Sequence, residues 1–250
     1  MLEQAYDLPV TIINTRQITR SDLSKYNVLI LPNTVGFFGN YKQVLGERGA
    51  KKIKTWVENG GTLITFGEAT HWLTDEKVGL LATTRELKGG RPEKEKKPKA
   101  AKKEAPEKPK SGAPAASPQP FDFETAIQPE KELPPATPGA IMRVTLDTEH
   151  WLASGYDGDA NVLVSSRNIF TPLKLDKGRN VAVYMAEDKV LLSGFTWEEA
   201  QKQLAHKAYL MYQPHGRGHV VAFAEDPNFR AFMDGLNLLF LNAVFFGPAH

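Results

Sequence analysis

The residues of this chain that could do chemistry are few, and the most suggestive of them follow an apolar strand. Thr62–Phe66 (TLITF) is β-branched and apolar, the composition of a parallel strand covered on both faces. Gly67, Glu68, Ala69 and Thr70 come next, and small residues at that end of a strand make an elbow of the kind where open α/β sheets place ligands and nucleophiles. The side chains on offer are Glu68, Thr70 and His71; position 67 has none. Glu68 also reads as a first-turn carboxylate favoured by the dipole of the helix it opens. The chain has no Cys, which removes thiol catalysis, thiolate metal ligands and disulfides together. His215 and His219 are spaced i, i+4, but Gly216, Arg217 and Gly218 between them read as a turn, so they need not converge. Ser193 before Gly194 has no identifiable partner and reads as a strand-end serine. Arg230 could meet an anion in a cleft or pair with Asp226.

Elements must position these residues. Ile53, Trp56 and Val57 share one helical face, with Lys51, Lys52, Lys54 and Glu58 on the other. Asn59, Gly60 and Gly61 end that helix. A strand over 26–31 (YNVLIL), stopped by Pro32, leads into a loop over 33–40 that forms a second lip of the cleft, with Asn33 and Gly36 in it. Residues 1–7 read as a helix tail and 10–13 (VTII) as a strand, so the opening strand of a doubly wound domain is expected upstream of Met1. A short helix is expected within 71–81. Strands are predicted over 141–146, 161–165, 180–185 and 190–193. A helix over 197–204 is opened by Thr196 with Glu199 at capping-box spacing, a hairpin spans 206–224, and one apolar helix fills 228–246. The aromatics of that last helix, Phe229, Phe232, Phe240, Phe245 and Phe246, are assigned to the core.

The net charge of +2 conceals a segregation. Residues 88–112 hold ten Lys and Arg against four Glu, a local +6 that leaves −4 for the rest. The basic balance belongs to one segment and argues little for a nucleic-acid-binding fold, so no nucleic-acid partner is expected. Residues 88–139 are rich in Lys, Pro, Ala and Glu and bury too little to offset their ordering entropy, so they are expected to be a disordered insertion in which FDF (121–123) could dock locally. Its Lys-rich run reads as a solvated spacer. The domain is therefore expected in two parts, 1–87 and 140–250. No apolar run is long enough to span a bilayer.

The strand, elbow and helix around Gly67 resemble the class I glutamine amidotransferase-like fold, whose enzymes carry Gly-x-Cys-x-Gly at the elbow. That resemblance implies a flavodoxin-like α/β sheet with helices on both faces and puts the nucleophile position on Gly67. LASGY (152–156), LLSGF (191–195), GRGHVVAF (216–223) and DPNFRAF followed by LNAVFFGP resemble the C-terminal region of bacterial proteins that begin with a carboxypeptidase-A-like zinc peptidase domain. The likeness spans the chain outside the insertion.

By resemblance, an active amidotransferase would need a Cys, a His base and a carboxylate to orient it; Gly67 replaces the first and no His-x-Glu supplies the others. The peptidase family binds zinc through His-x-x-Glu and a distant His, and none of the six His has Glu three positions on. The resemblance thus implies a non-catalytic accessory domain, with degenerate Gly67 and a cleft of Asn33, Gly36, Gly67, Glu68, Thr70, His71 and Arg230. It implies no cofactor in this chain, and zinc only in an upstream peptidase domain of the same polypeptide. That domain would be the partner, peptide or cell-wall stems the substrate, and the periplasm or exterior the location. Two other readings are a free-standing small-molecule-binding module and a hydrolase with an unidentified nucleophile.

Overall fold

The computed structural model describes residues 2–34, 40–93, 129, 131–231 and 233–250. Gly36, the FDF segment, Phe232 and the Lys-rich run lie outside the described residues.

One sheet of eight strands organises the domain. Helix α1 (Leu2–Tyr6) opens the chain, followed by β1 (Val28–Leu31), α2 (Tyr41–Glu58), β2 (Thr62–Phe66) and α3 (Glu68–Leu73). Then come β3 (Ala140–Leu146), β4 (Asp159–Val164), β5 (Arg179–Tyr184), α4 (Glu187–Val190), β6 (Leu191–Gly194), α5 (Glu198–Leu204), β7 (Ala208–His215), β8 (Gly218–Phe223) and α6 (Asn237–Phe246). The order is β1-β2-β8-β7-β5-β3-β4, with β6 also on β3. β1, β2 and β8 are parallel, and the other pairings are antiparallel. The α/β class expected from the sequence is the class observed.

All five residues of β2 are buried, as its uniform apolar run requires. Phe66 meets Phe223 of β8 and Phe240 of α6 edge to face, at 5.6 and 5.5 Å between centroids. Ile53, Trp56 and Val57 are buried on α2 as their spacing predicts. The turn into β8 presses so closely on the end of α2 that a Cβ on Gly218 would fall 2.3 Å from the Val57 carbonyl oxygen.

Several expectations are corrected. Residues 10–13 form no strand; Ile12 is 90% exposed and has no neighbouring strand to complete a ladder. The last helix spans only Asn237–Phe246, because Arg230 turns to φ 52° and Phe229–Ala231 and Asp234–Leu236 are separate 3-10 turns. Phe240 is buried, but Phe229, Phe245 and Phe246 are half-exposed rather than core. Thr196 does not cap α5, since Trp197 is the N-cap residue and the Thr196 hydroxyl is bonded to that of Thr137. The described flanks of 88–139 are packed: Lys88 pairs with Glu132, Arg91 donates to the Pro129 carbonyl, and 131–139 lead directly into β3.

Candidate functional site

The site is built where β2 ends. Gly67 takes φ 53°, ψ −112°, a backbone that L side chains rarely adopt, and its N–H donates to the Phe223 carbonyl of β8. The chain thereby reverses from strand into α3, as an elbow must. Asn33, two residues beyond β1, fills the space in front of it. A Cβ on residue 67 would lie 2.7 Å from Asn33 Oδ1 and 2.8 Å from its Cγ. The same Oδ1 accepts the Glu68 N–H at 3.0 Å. In an elbow enzyme the N–H after the nucleophile serves the oxyanion; here a side-chain amide already holds it.

Beyond the elbow lies a continuous polar network. His71 Nε2 is 2.7 Å from Glu93 Oε2, and its Nδ1 is 3.6 Å from Glu68 Oε2. Arg85, 12% exposed, donates to Glu93 at 2.8 Å and to Asn168 Oδ1 at 3.2 Å, and lies 3.8 Å from Glu68. Asn168 donates its amide to Glu68 at 3.0 Å. Its backbone N–H reaches Ser166 Oγ, which in turn donates to Glu225 at 2.5 Å.

The charges within this network balance. Burial opposes ionisation of Glu93, but hydrogen bonds from His71 and Arg85 override it and hold the carboxyl at about 2. The His71 hydrogen bond, with help from Asn168, likewise lowers Glu68 against burial. Burial depresses His71, yet the two carboxylates raise it above its ordinary value overall. Both ring nitrogens thus face carboxylates, and the arrangement favours the imidazolium. Two carboxylates, one guanidinium and one imidazole share the network, and the buried Arg85 Nε has no hydrogen-bond partner among the described residues.

Glu225 differs from these. Burial raises its carboxyl to about 7, with the Ser166 hydrogen bond opposing and Asp226 adding to the shift. The hydroxyls of Tyr184 and Tyr209, both fully buried, have no hydrogen-bond partner among the described residues. A raised acid keeps its proton in the folded state while the unfolded chain loses it, so stability falls as pH rises from 4.5 towards 7. Glu225→Gln is therefore expected to stabilise the chain by about 2 kcal/mol at pH 8 and by little below pH 4.5, read from thermal melts at both values.

The other predicted site residues scatter. Thr70 is fully buried; its hydroxyl donates to the Phe223 carbonyl and contacts that of Thr65, so it ties β2 to β8 and lines no cleft. Arg230 is exposed and lies over the ring of Phe229, and no ion pair joins it to Asp226, which accepts the Asn228 N–H. His215 lies in the β7–β8 hairpin, bonded to Gln213 and the Leu80 carbonyl. His219 is buried beside Tyr212 and Trp151. Asn33, Gly67, Glu68 and His71 do come together. Sequence reading missed Arg85, Glu93, Asn168, Ser166 and Glu225, which reach the site from loops or from the Lys-rich segment and carry no motif. Among the described residues no three His, Asp or Glu side chains are grouped to hold a metal ion. A separate groove of about 760 Å³, lined by Arg48, Lys51, Lys52, Trp56 and Pro248, lies at the opposite, N-terminal end of β2.

The fold is α/β. No family model matches the chain, and no curated protein matches it in sequence. Among solved structures it is similar to a cytoplasmic protein from Salmonella typhimurium, at 12% identity and TM-score 0.48 over 93% of this chain and 78% of that one. It is also similar to proteins described as ThuA-like. The one from Bacteroides uniformis is 12% identical with TM-score 0.49, over 97% of this chain and 78% of that one. The one from Parabacteroides merdae is 10% identical with TM-score 0.49, over 91% and 72%. Among the described residues no helix is long and apolar enough to cross a membrane.

Proposed function

We propose that this chain is a non-catalytic accessory domain of a bacterial zinc carboxypeptidase-like protein, scaffolding the peptidase or presenting peptide or cell-wall substrate to it. One observation carries the non-catalytic half of this reading: the Asn33 side chain occupies the space of an elbow nucleophile and takes the neighbouring N–H. The network of Glu68, His71, Arg85 and Glu93 supports it, because each of the four side chains is paired with another of the set. The link to a peptidase rests on the sequence resemblance of the 152–156, 191–195, 216–223, 226–232 and 241–248 segments. Half-exposed Phe229, Leu238, Phe245 and Phe246, on and just before α6, are apolar surface of the kind an accessory domain uses for contact.

Incubating this chain alone with glutamine, a C-terminally blocked and an unblocked peptide, and an activated ester is expected to give no turnover above buffer. Turnover abolished by Ser193→Ala would replace this reading with the hydrolase. The binding-module reading has its own support in the groove beside Trp56, and it would place the ligand there rather than at the closed elbow.

A further inference from the structure

A second surface lies far along the sheet from the elbow, around β6. Among the described residues β6 pairs only with β3, so its other edge presents backbone donors and acceptors to no strand. Leu192, Ser193 and Gly194 are exposed. The chain then carries two large aromatics into solvent: Phe195 is 54% and Trp197 55% exposed. Thr196 between them is buried and bonded to Thr137, which anchors the segment while its neighbours project outward. The two rings stand 5.1 Å apart at 80° and, with Pro135, Glu198 and Glu199, line a notch of about 600 Å³.

The shape and the charge of the notch select a class of ligand. A sugar ring stacks on a flat aromatic platform, whereas an edge-to-face pair makes a wedge that suits a pyrrolidine ring or the methylene stem of a lysine. Glu198 and Glu199 are exposed, and among the described residues neither makes an ion pair. Two unpaired carboxylates beside aromatic walls call for a cation. An unpaired strand edge calls for an extended backbone.

We propose that the Phe195–Trp197 notch and the free edge of β6 bind an extended, lysine- and proline-rich peptide segment of a partner protein. The aromatics take the proline rings and lysine stems, the carboxylates take the ammonium groups, and β6 aligns the backbone. This surface stands apart from the elbow and does not depend on the peptidase reading.

The test is fluorescence anisotropy of the full chain with a labelled Lys-Pro repeat of about twelve residues, against a Glu-Pro repeat of equal length and a soluble cell-wall glycan. Binding of the Lys-Pro probe is expected, weakened about ten-fold or more by Trp197→Ala and about three-fold or more by the pair Glu198→Gln and Glu199→Gln, and weakened again by added salt. Both sets of positions are exposed, so circular dichroism should report unchanged folding. Equal binding of the Glu-Pro probe, binding of the glycan in place of the peptide, or indifference to Trp197→Ala would each overturn the proposal. So would binding that appears only when residues 94–128 are removed, because the occupant would then be this chain's own segment.

Discussion

Gly67→Ala is expected to destabilise the chain by about 3 kcal/mol, since two costs fall on one added atom. The first is the backbone: φ 53°, ψ −112° is open to glycine and strained for alanine. The second is space, because the new Cβ would lie 2.7 Å from Asn33 Oδ1. Urea denaturation should show a lower midpoint with an unchanged slope. The two costs can be separated. Adding Asn33→Ala to Gly67→Ala removes the clash and keeps the strain, so the double variant should recover about 1 kcal/mol relative to additivity. A neutral Gly67→Ala would mean that the elbow is open and that Asn33 does not close it.

Arg85→Met is expected to have a comparable effect, about 2–4 kcal/mol near neutral pH, because it leaves Glu93 and Glu68 to share His71 alone and Asn168 Oδ1 without its donor. The partial exposure of both carboxylates places the figure below that of a fully buried pair. The pH dependence identifies the cause. With its folded value at about 2 against an ordinary 4.5, Glu93 contributes stability that is present above pH 4.5 and lost as pH falls towards 2. The Arg85→Met penalty should therefore shrink over that window in thermal melts. A penalty independent of pH would point to lost packing of the arginine stem instead.

The elbow was legible in the sequence because it rests on local rules. An all-apolar strand of five residues and a glycine after it need no tertiary information, and Thr62–Phe66 and Gly67 lie where those rules put them. What fills the elbow was not legible in the same way: Asn33 was placed on the facing lip, but only three dimensions show its amide against Gly67. Thr70 was misread for a related reason, since a small polar residue near an elbow can face the cleft or the strand beside it, and the Phe223 carbonyl captured it. The final helix failed where periodicity was trusted across Arg230 and Gly235, a pattern that continues while the backbone does not. Glu93 carries no signal in the sequence because composition places it in the expected disordered insertion, while its carboxylate is committed to His71 and Arg85.

The proposed accessory role places the chemistry in another part of a longer protein. The most direct measurement is zinc content, together with C-terminal trimming of a peptide, for the full native gene product and for this 250-residue chain side by side. The account predicts bound zinc and chelator-sensitive trimming in the full product and neither in the chain alone. Trimming by the chain alone, or a full product with no zinc and no trimming, would contradict it.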